Sequence, residues 1–283
     1  PYRDEGVFDL NKEHHLTLYR LSAILIYAQK HYRRFMENYD LADILYTFDS
    51  SSLEKKYVEK YQMEFKVYDG YKFSPLKHND IGTEILKCYE VMDGLNFDDA
   101  LQRTAVMYLI YKTFAIANSY PAYEEFSGLG ELDKFTQKAE PDTMDLIYKL
   151  VKTITRDKSH ISLKIRQTIH FLNALKNGTI DSQTFLTRKI SHQEYFQCVD
   201  EGKDLRSMRD IQEYLPPSFF QIEILMNRFE NGERVNDTPI PIEQMSAGER
   251  QYLYTFSTYI YHVLNLLSIQ ESHRVRYRNI NLI

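Results

Sequence analysis

Met245-Ser246-Ala247-Gly248-Glu249-Arg250-Gln251 stands at the joint between two kinds of sequence. Before it, short apolar runs are punctuated by Pro, Asn and Gly. After it, Tyr252, Leu253, Phe256, Tyr259, Ile260, Val263, Leu264 and Leu267 recur at helical spacing, so the stretch reads as the start of a long helix. Ser246 followed three residues later by Glu249 has the form of a capping box, in which the two side chains satisfy backbone N–H groups that a helix start leaves open. Gly248 does not belong to that reading. A glycine in the first turn costs about 1 kcal/mol against alanine and does nothing for a cap. Its missing Cβ implies that another group comes close.

Upstream, Leu215-Pro216-Pro217-Ser218-Phe219-Phe220-Gln221-Ile222-Glu223-Ile224-Leu225-Met226 reads as a strand, Asn231-Gly232 as a turn and Pro239-Ile240-Pro241-Ile242 as a short return segment. Downstream of the helix, Asn279-Ile280-Asn281-Leu282-Ile283 reads as a buried strand. The order L-P-P-x-F-F, hairpin, S-x-G-E-R-Q, helix, strand resembles the signature subdomain of bacterial ABC-type ATPases, in the SMC and AAA-like branch rather than the transporter branch. The resemblance covers roughly residues 214–283 and is specific in the signature and its flanks.

The resemblance implies that two nucleotide-binding domains meet head to tail. Ser246 and Gly248 would then close over the γ-phosphate of ATP held by the other subunit's P-loop. The residue chemistry suits that role: a helix N-terminus offers N–H groups and the positive end of a dipole, Ser246 adds a hydroxyl, and Gly248 lets backbone approach phosphate. Ala247 lies between them, Arg250 and Gln251 would shape the loop, and Glu249 would cap the helix. The implied cofactors are ATP and Mg²⁺ in a full-length protein, and the implied partner is a second ATPase subunit in a homodimer. No G-x-x-x-x-G-K-[ST] occurs, neither around Gly128-Leu129-Gly130 nor around Gly202-Lys203, so the chain has no P-loop. The Walker B carboxylates would follow Ile283. The chain begins at Pro1 and ends in an apparent core strand, so it reads as a fragment that completes a site without hydrolysing ATP by itself.

The chain has 283 residues, 43% of them hydrophobic, enough for a sizeable core in one large domain or two smaller ones. A formal net charge of -5 argues against a protein built wholly as a basic nucleic-acid clamp. The 23 tyrosines read as amphipathic residues on half-buried helix faces. Cys88 and Cys198 lie far apart with no C-x-x-C spacing, which fits a reducing, cytoplasmic setting and offers no zinc site. No run approaches the length of a membrane span, so membrane association is not expected.

Residues 1–190 read as a helical region. Leu16, Tyr19, Ala23, Ile26 and Tyr27 stripe a first helix, with His14-His15 at its start pointing apart and offering no metal pair. Tyr39–Phe48 is a less regular segment, Leu53–Tyr68 reads as partly helical, and residues 69–82 read as a loop. Helices follow at Thr83–Met92, stopped by Asp93-Gly94, and from Asp98-Asp99 to Asn118-Ser119-Tyr120-Pro121. A short acidic helix comes next around Ala122–Phe126. Pro141 opens a helix through Ile154, and Ile161–Leu175 forms another, stopped by Asn177-Gly178; the two are expected to pair as an antiparallel hairpin. Lys149, Lys152, Arg156, Lys158, Lys164 and Arg166 give that hairpin a basic face. No aromatic or glycine-rich pattern accompanies these charges, so a solvated surface is favoured over a nucleic-acid contact. Ile180–Ile190 reads as a strand, Ser191–Glu194 as a second capping box, and Asp204–Tyr214 as a short helix. Arg274, Arg276 and Arg278 alternate as the lead-in to the last strand.

The expected class is mainly α (α+β): a helical region over 1–190, then a mixed subdomain over 191–283 carrying hairpin, signature loop, helix and strand. Two alternatives stand beside the ATPase reading. One is a helical interaction scaffold in which Ser246–Glu249 is only a cap, and the other is a nucleic-acid-binding helical domain.

Overall fold

The computed structural model describes residues 10–32, 36–48, 81–120, 123–126, 129, 140–199 and 207–272. Helix α1 (Leu10–His31) opens this part of the chain. Its apolar residues form a run rather than a stripe, and Leu18, Leu21, Ala23, Ile24, Leu25, Ile26 and Ala28 are all buried. A helix apolar on every side must be enclosed. α1 is covered by a sheet, by a short helix from the mixed region and by the long helix that follows the signature stretch.

The sheet begins with β1 (Tyr39–Thr47), in the segment that sequence periodicity places among helices. Tyr39, Leu41, Ile44 and Tyr46 are buried, and a bulge between Leu41 and Asp43 changes the phase of the alternation. β1 pairs antiparallel with β3 (Gln221–Glu230), setting Ile44 opposite Ile224 and Tyr46 opposite Ile222. On its other edge β1 takes the two-residue β2 (Ile190–Ser191). The far edge of β3 is shared by β4 (Glu233–Arg234) and β5 (Ile240–Pro241), both antiparallel. Asn231 (φ 50°) and Gly232 (φ 87°) both sit in the left-handed region, as a tight turn matched to strand twist requires. Between β4 and β5, Asn236 Oδ1 accepts from the Arg228 amide at 2.7 Å and stands in for the interrupted ladder. One sheet thus unites strands from either side of the 190/191 boundary.

Helices enclose the sheet. α2 (Ile81–Cys88) ends earlier than Asp93-Gly94, because Glu90 adopts φ 59° and turns the chain while Val91 N donates back to Leu86 O at 3.1 Å. α3 (Ala100–Ser119) starts at Asp99, whose carboxylate accepts from the amides of Leu101 at 2.8 Å and Gln102 at 3.0 Å. The acidic stretch after it is a short 3₁₀ turn over 123–126. α4 (Pro141–Arg156) and α5 (Leu163–Lys176) form as expected, but they do not pair chiefly with each other. α4 packs on α2 and α5 on α3, so the anticipated antiparallel hairpin gives way to two separate pairs. Ile180–Ile190, expected as a strand, holds α6 (Ser182–Thr187), because Asp181 caps its amides at residues 183 and 184; only Ile190–Ser191 is extended. α7 (His192–Val199) begins with the Ser191 hydroxyl accepting from Glu194 N at 3.2 Å, and α8 (Met208–Glu213) with a full Ser207/Asp210 capping box. Leu53–Tyr68, expected as partly helical, and most of the loop expected over 69–82 lie outside the described residues, in the range 49–80. The final strand and the Arg274, Arg276, Arg278 line also lie outside them, in the range 273–283.

The centre of the core is aromatic. Phe171 of α5 lies 5.4 Å from Phe220 and 6.0 Å from Phe219, with Phe185 and Tyr195 within 6.5 Å. Phe171 meets Phe185, Phe219 and Phe220 edge to face and lies nearly parallel to Tyr195. Leu215–Phe220, expected to begin the strand, is instead the turn that delivers both phenylalanines to this centre. Tyrosines hold it there. Tyr19 OH donates to Pro216 O at 2.6 Å, Tyr108 shares a hydrogen bond with Ser218 Oγ at 2.6 Å, and His15 Nε2 donates to Ser218 O at 3.0 Å. The tyrosine abundance is thus partly explained: Tyr19, Tyr89, Tyr108 and Tyr123 are buried rings whose hydroxyls each find a partner.

Candidate functional site

After β5, a 3₁₀ turn (Ile242–Gln244) leads through Met245 and Ser246 into α9 (Ala247–Ser272). Two buried side chains, Ile242 and Met245, seat this joint, and Met245 N donates to Ile242 O at 3.1 Å. The Arg250 guanidinium donates back to Glu243 O at 2.5 Å, tying the first turn of α9 to the turn before it.

Half of the capping box read from the sequence is present: the Ser246 hydroxyl accepts from a backbone amide, while the Glu249 carboxylate takes the Ser246 hydroxyl rather than the Ser246 amide. Glu249 N donates to Ser246 Oγ at 3.4 Å, and Ser246 Oγ donates to the Glu249 carboxylate at 2.5 Å. The other Glu249 oxygen accepts from Asn38 Nδ2 at 3.5 Å, so the carboxylate also ties the joint to the start of β1. Glu249 and Arg250 are half-buried and occupied in this way. Ser246, Ala247, Gly248 and Gln251 are exposed, and Gln251 Nε2 reaches only along its own helix to Thr255 Oγ1 at 3.3 Å.

The amides of Ala247 and Gly248 meet no acceptor among the described residues, as expected at the start of a helix. A Cβ built on Gly248 meets nothing within 4 Å, and its backbone is not left-handed. Gly94, Gly178 and Gly232 each have a positive φ that favours glycine. Gly248 has no such reason, and no described neighbour requires it.

Two other polar clusters are built into the fold. The buried Asp157 accepts from Tyr123 OH at 2.8 Å, Ser159 N at 2.7 Å and Ser159 Oγ at 2.9 Å, which fixes the turn between α4 and α5. Arg166, expected on the basic face, turns into this cluster instead: its guanidinium donates to Asp157 O at 2.9 Å and its Nε lies 3.3 Å from Glu213. His170 reaches the same Glu213 oxygen at 3.4 Å, and the hydrogen bond from His170, with the Arg166 charge, holds the Glu213 carboxyl below its ordinary range. Separately, the buried His192 Nδ1 lies 2.6 Å from Asp43 Oδ1 and joins α7 to β1. Among the described residues no hydroxyl or thiol is hydrogen-bonded to His192, so this is an anchor and not a nucleophile's base.

His14 and His15 diverge, the first toward Glu243 at 3.4 Å and the second toward Ser218. Among the described residues, no group of three or more His, Cys, Asp or Glu could hold a metal ion, and no helix is long and apolar enough to cross a membrane. Compared with protein-family models, curated proteins and solved structures, the chain matches none.

Sequence reasoning missed the Asp157 cluster, whose members look like ordinary loop polars. It also missed the exposure of Tyr148, which stands 55% exposed among the lysines of α4.

Proposed function

We propose that Ser246–Gln251 is the signature loop of an ABC-type ATPase, acting in trans on ATP held by a second subunit. The observation that carries this reading is Gly248. It is exposed at a helix start whose first amides meet no described acceptor, and neither its backbone conformation nor its packing calls for a glycine. A phosphate group closing on the loop would meet the Ala247 and Gly248 N–H groups, the positive end of the α9 dipole and the Ser246 hydroxyl once that hydroxyl leaves Glu249. Gly248 would let the phosphate oxygens reach the backbone, where a side chain would hold them off. Arg250 and Glu249 hold the loop's shape from behind through Glu243 and Asn38. Donors fixed in place by the fold stabilise charge on a transferring phosphoryl group without reorganising.

ATP with Mg²⁺ supplies the phosphoryl group and the metal charge that shields it. The carboxylate nearest the loop, Glu249, is already taken up by Ser246 and Asn38. The loop therefore fits the phosphate end of the nucleotide, and the metal would be held by the subunit that carries the P-loop.

The second reading is an interaction scaffold in which the loop only caps a helix. Its support is the engaged Ser246–Glu249 pair and the exposed stripe of Tyr252, Tyr259 and Leu267 along α9. The two readings part on Gly248→Ala. The substitution stabilises a helical position by up to about 1 kcal/mol. In a form of the protein that carries a P-loop, the ATPase reading expects this stabilised variant, like Ser246→Arg, to lose ATP-dependent dimers and turnover. Unchanged dimerisation and turnover in both variants would leave the scaffold.

A further inference from the structure

We infer that the outer face of α4 is a contact for single-stranded nucleic acid. The starting point is a contrast among the surface cations, several of which are paired with acids. Lys87 pairs with Glu84, Arg188 with Glu194, Lys189 with Glu223 and Arg228 with Glu230. Lys149, Lys152, Arg156 and Lys158 are all exposed, and none makes an ion pair among the described residues. Arg209 adds a further cation at the same end, its guanidinium donating to Lys158 O at 2.8 Å.

The acids that usually neutralise such a face are missing here for definite reasons. Between Leu146 and Ile165 the only carboxylate is Asp157, which is buried and saturated by Tyr123 and Ser159. On the adjoining elements, Glu213 is committed to Arg166 and His170, Asp210 to the Ser207 cap, and Glu84 to Lys87. Asp142 and Asp145 precede the strip on α4; Asp145 lies one turn before Lys149, makes no ion pair with it among the described residues, and bounds the strip there. Lys149, Lys152 and Arg156 follow helical spacing along one stripe about 10 Å long. With Lys158 beyond the helix end, they form a line of positive charge on a protein whose formal net charge is -5.

Charge alone would suit any polyanion. Tyr148 decides the class. It is 55% exposed beside the strip, and the Lys152 ammonium sits 5.5 Å from its ring centroid. A tyrosine left in water with a cation on one side of it offers a stacking surface to a base whose phosphates run along the lysines. That combination is the one by which single strands are held without sequence preference. A duplex keeps its bases stacked inside and gains nothing from the ring, and an acidic peptide would need only the charges.

The test is fluorescence anisotropy of the chain with labelled 20-mers of oligothymidylate and oligouridylate, a duplex of the same length and polyglutamate, between 50 and 200 mM salt. Because the single-strand salt slope is roughly 0.7 per phosphate contacted, K149A/K152A/R156A is expected to lower the slope by about 2. Its affinity at 50 mM salt should fall tenfold or more. Tyr148→Ala is expected to weaken single strands by roughly fivefold to a hundredfold while leaving the salt slope in place. The two single strands separate DNA from RNA as the source of the shared chemistry. Circular dichroism confirms that the exposed substitutions leave the fold intact. Equal binding by wild type and the triple variant, a flat salt response, polyglutamate or duplex bound as tightly as the single strands, or no effect of Tyr148→Ala would each overturn the assignment.

Discussion

The aromatic centre and helix α9 are opposite answers to the same problem. Around Phe171, side chains from α5, α6, α7 and the turn before β3 close on one another, and Phe171, Phe220 and Tyr195 are all but removed from water. Along the twenty-six residues of α9, Leu253 and Ser257 alone are fully buried among the described side chains, while Tyr252 is 60%, Tyr259 44% and Leu267 42% exposed. The first region is explained by the chain itself. In the second, one side packs on α1 and the outer apolar side is uncovered among the described residues. Single apolar side chains turned to water are ordinary, and only a contiguous apolar patch marks a surface where something else binds.

The contrast can be broken most sharply at its centre. Phe171→Ala removes the ring on which Phe185, Tyr195, Phe219 and Phe220 converge. It should cost about 3–5 kcal/mol of unfolding free energy in urea titrations. A loss below about 1 kcal/mol would mean that the aromatic centre does not anchor the fold.

A middle-sized effect is expected at Glu213, where α5 meets α8. The Glu213 carboxyl is held below its ordinary value of 4.5, first by the His170 hydrogen bond and then by Arg166. A depressed folded-state value means that the wild type gains stability above the carboxyl's ordinary range and loses it as pH falls through the depressed value. Glu213→Gln should therefore lower unfolding stability at pH 7 by about 1.5 kcal/mol, in keeping with hydrogen bonds to a charged group. The difference should close as pH falls below the carboxyl's ordinary range and through its depressed one. A wild-type advantage that stays constant with pH would assign it to packing instead.

The smallest effect sharpens the other half of the comparison. Tyr252→Ser, on the outer side of α9, should change stability by no more than about 0.5 kcal/mol. A loss of about 2 kcal/mol or more in urea titration would show that the outer side is already covered.

What is legible in the sequence is mostly local. Asp99 caps a helix, Pro141 opens one, Asn177-Gly178 stops one, and Ser246 engages Glu249 three residues on, whereas the cap at Asp181 is hidden in a stretch that reads as a strand. β1 is hidden by its own bulge. The extra residue at Ala42 puts Leu41 and Ile44 three apart on the same face, which copies helical spacing. Arg166 reads with its charged neighbours as surface because its sequence position says nothing about the Asp157 turn that receives it. Tyr148 is lost among many tyrosines, since buried and exposed rings look alike in sequence.

By itself, the sequence determined several starts, turns and stops, at Asp99, Pro141, Asn177-Gly178 and Asn231-Gly232, because caps, prolines and turn residues act on backbone groups only a few positions away. It also determined the mainly helical class with a small antiparallel component. Only the tertiary structure decided that β1 joins β3, that α4 and α5 choose separate partners, and that the lysines of α4 stand apart from the described carboxylates while Lys87 and Lys189 do not. Those outcomes depend on which surfaces bury one another across the whole chain, and no window of neighbouring residues contains that information.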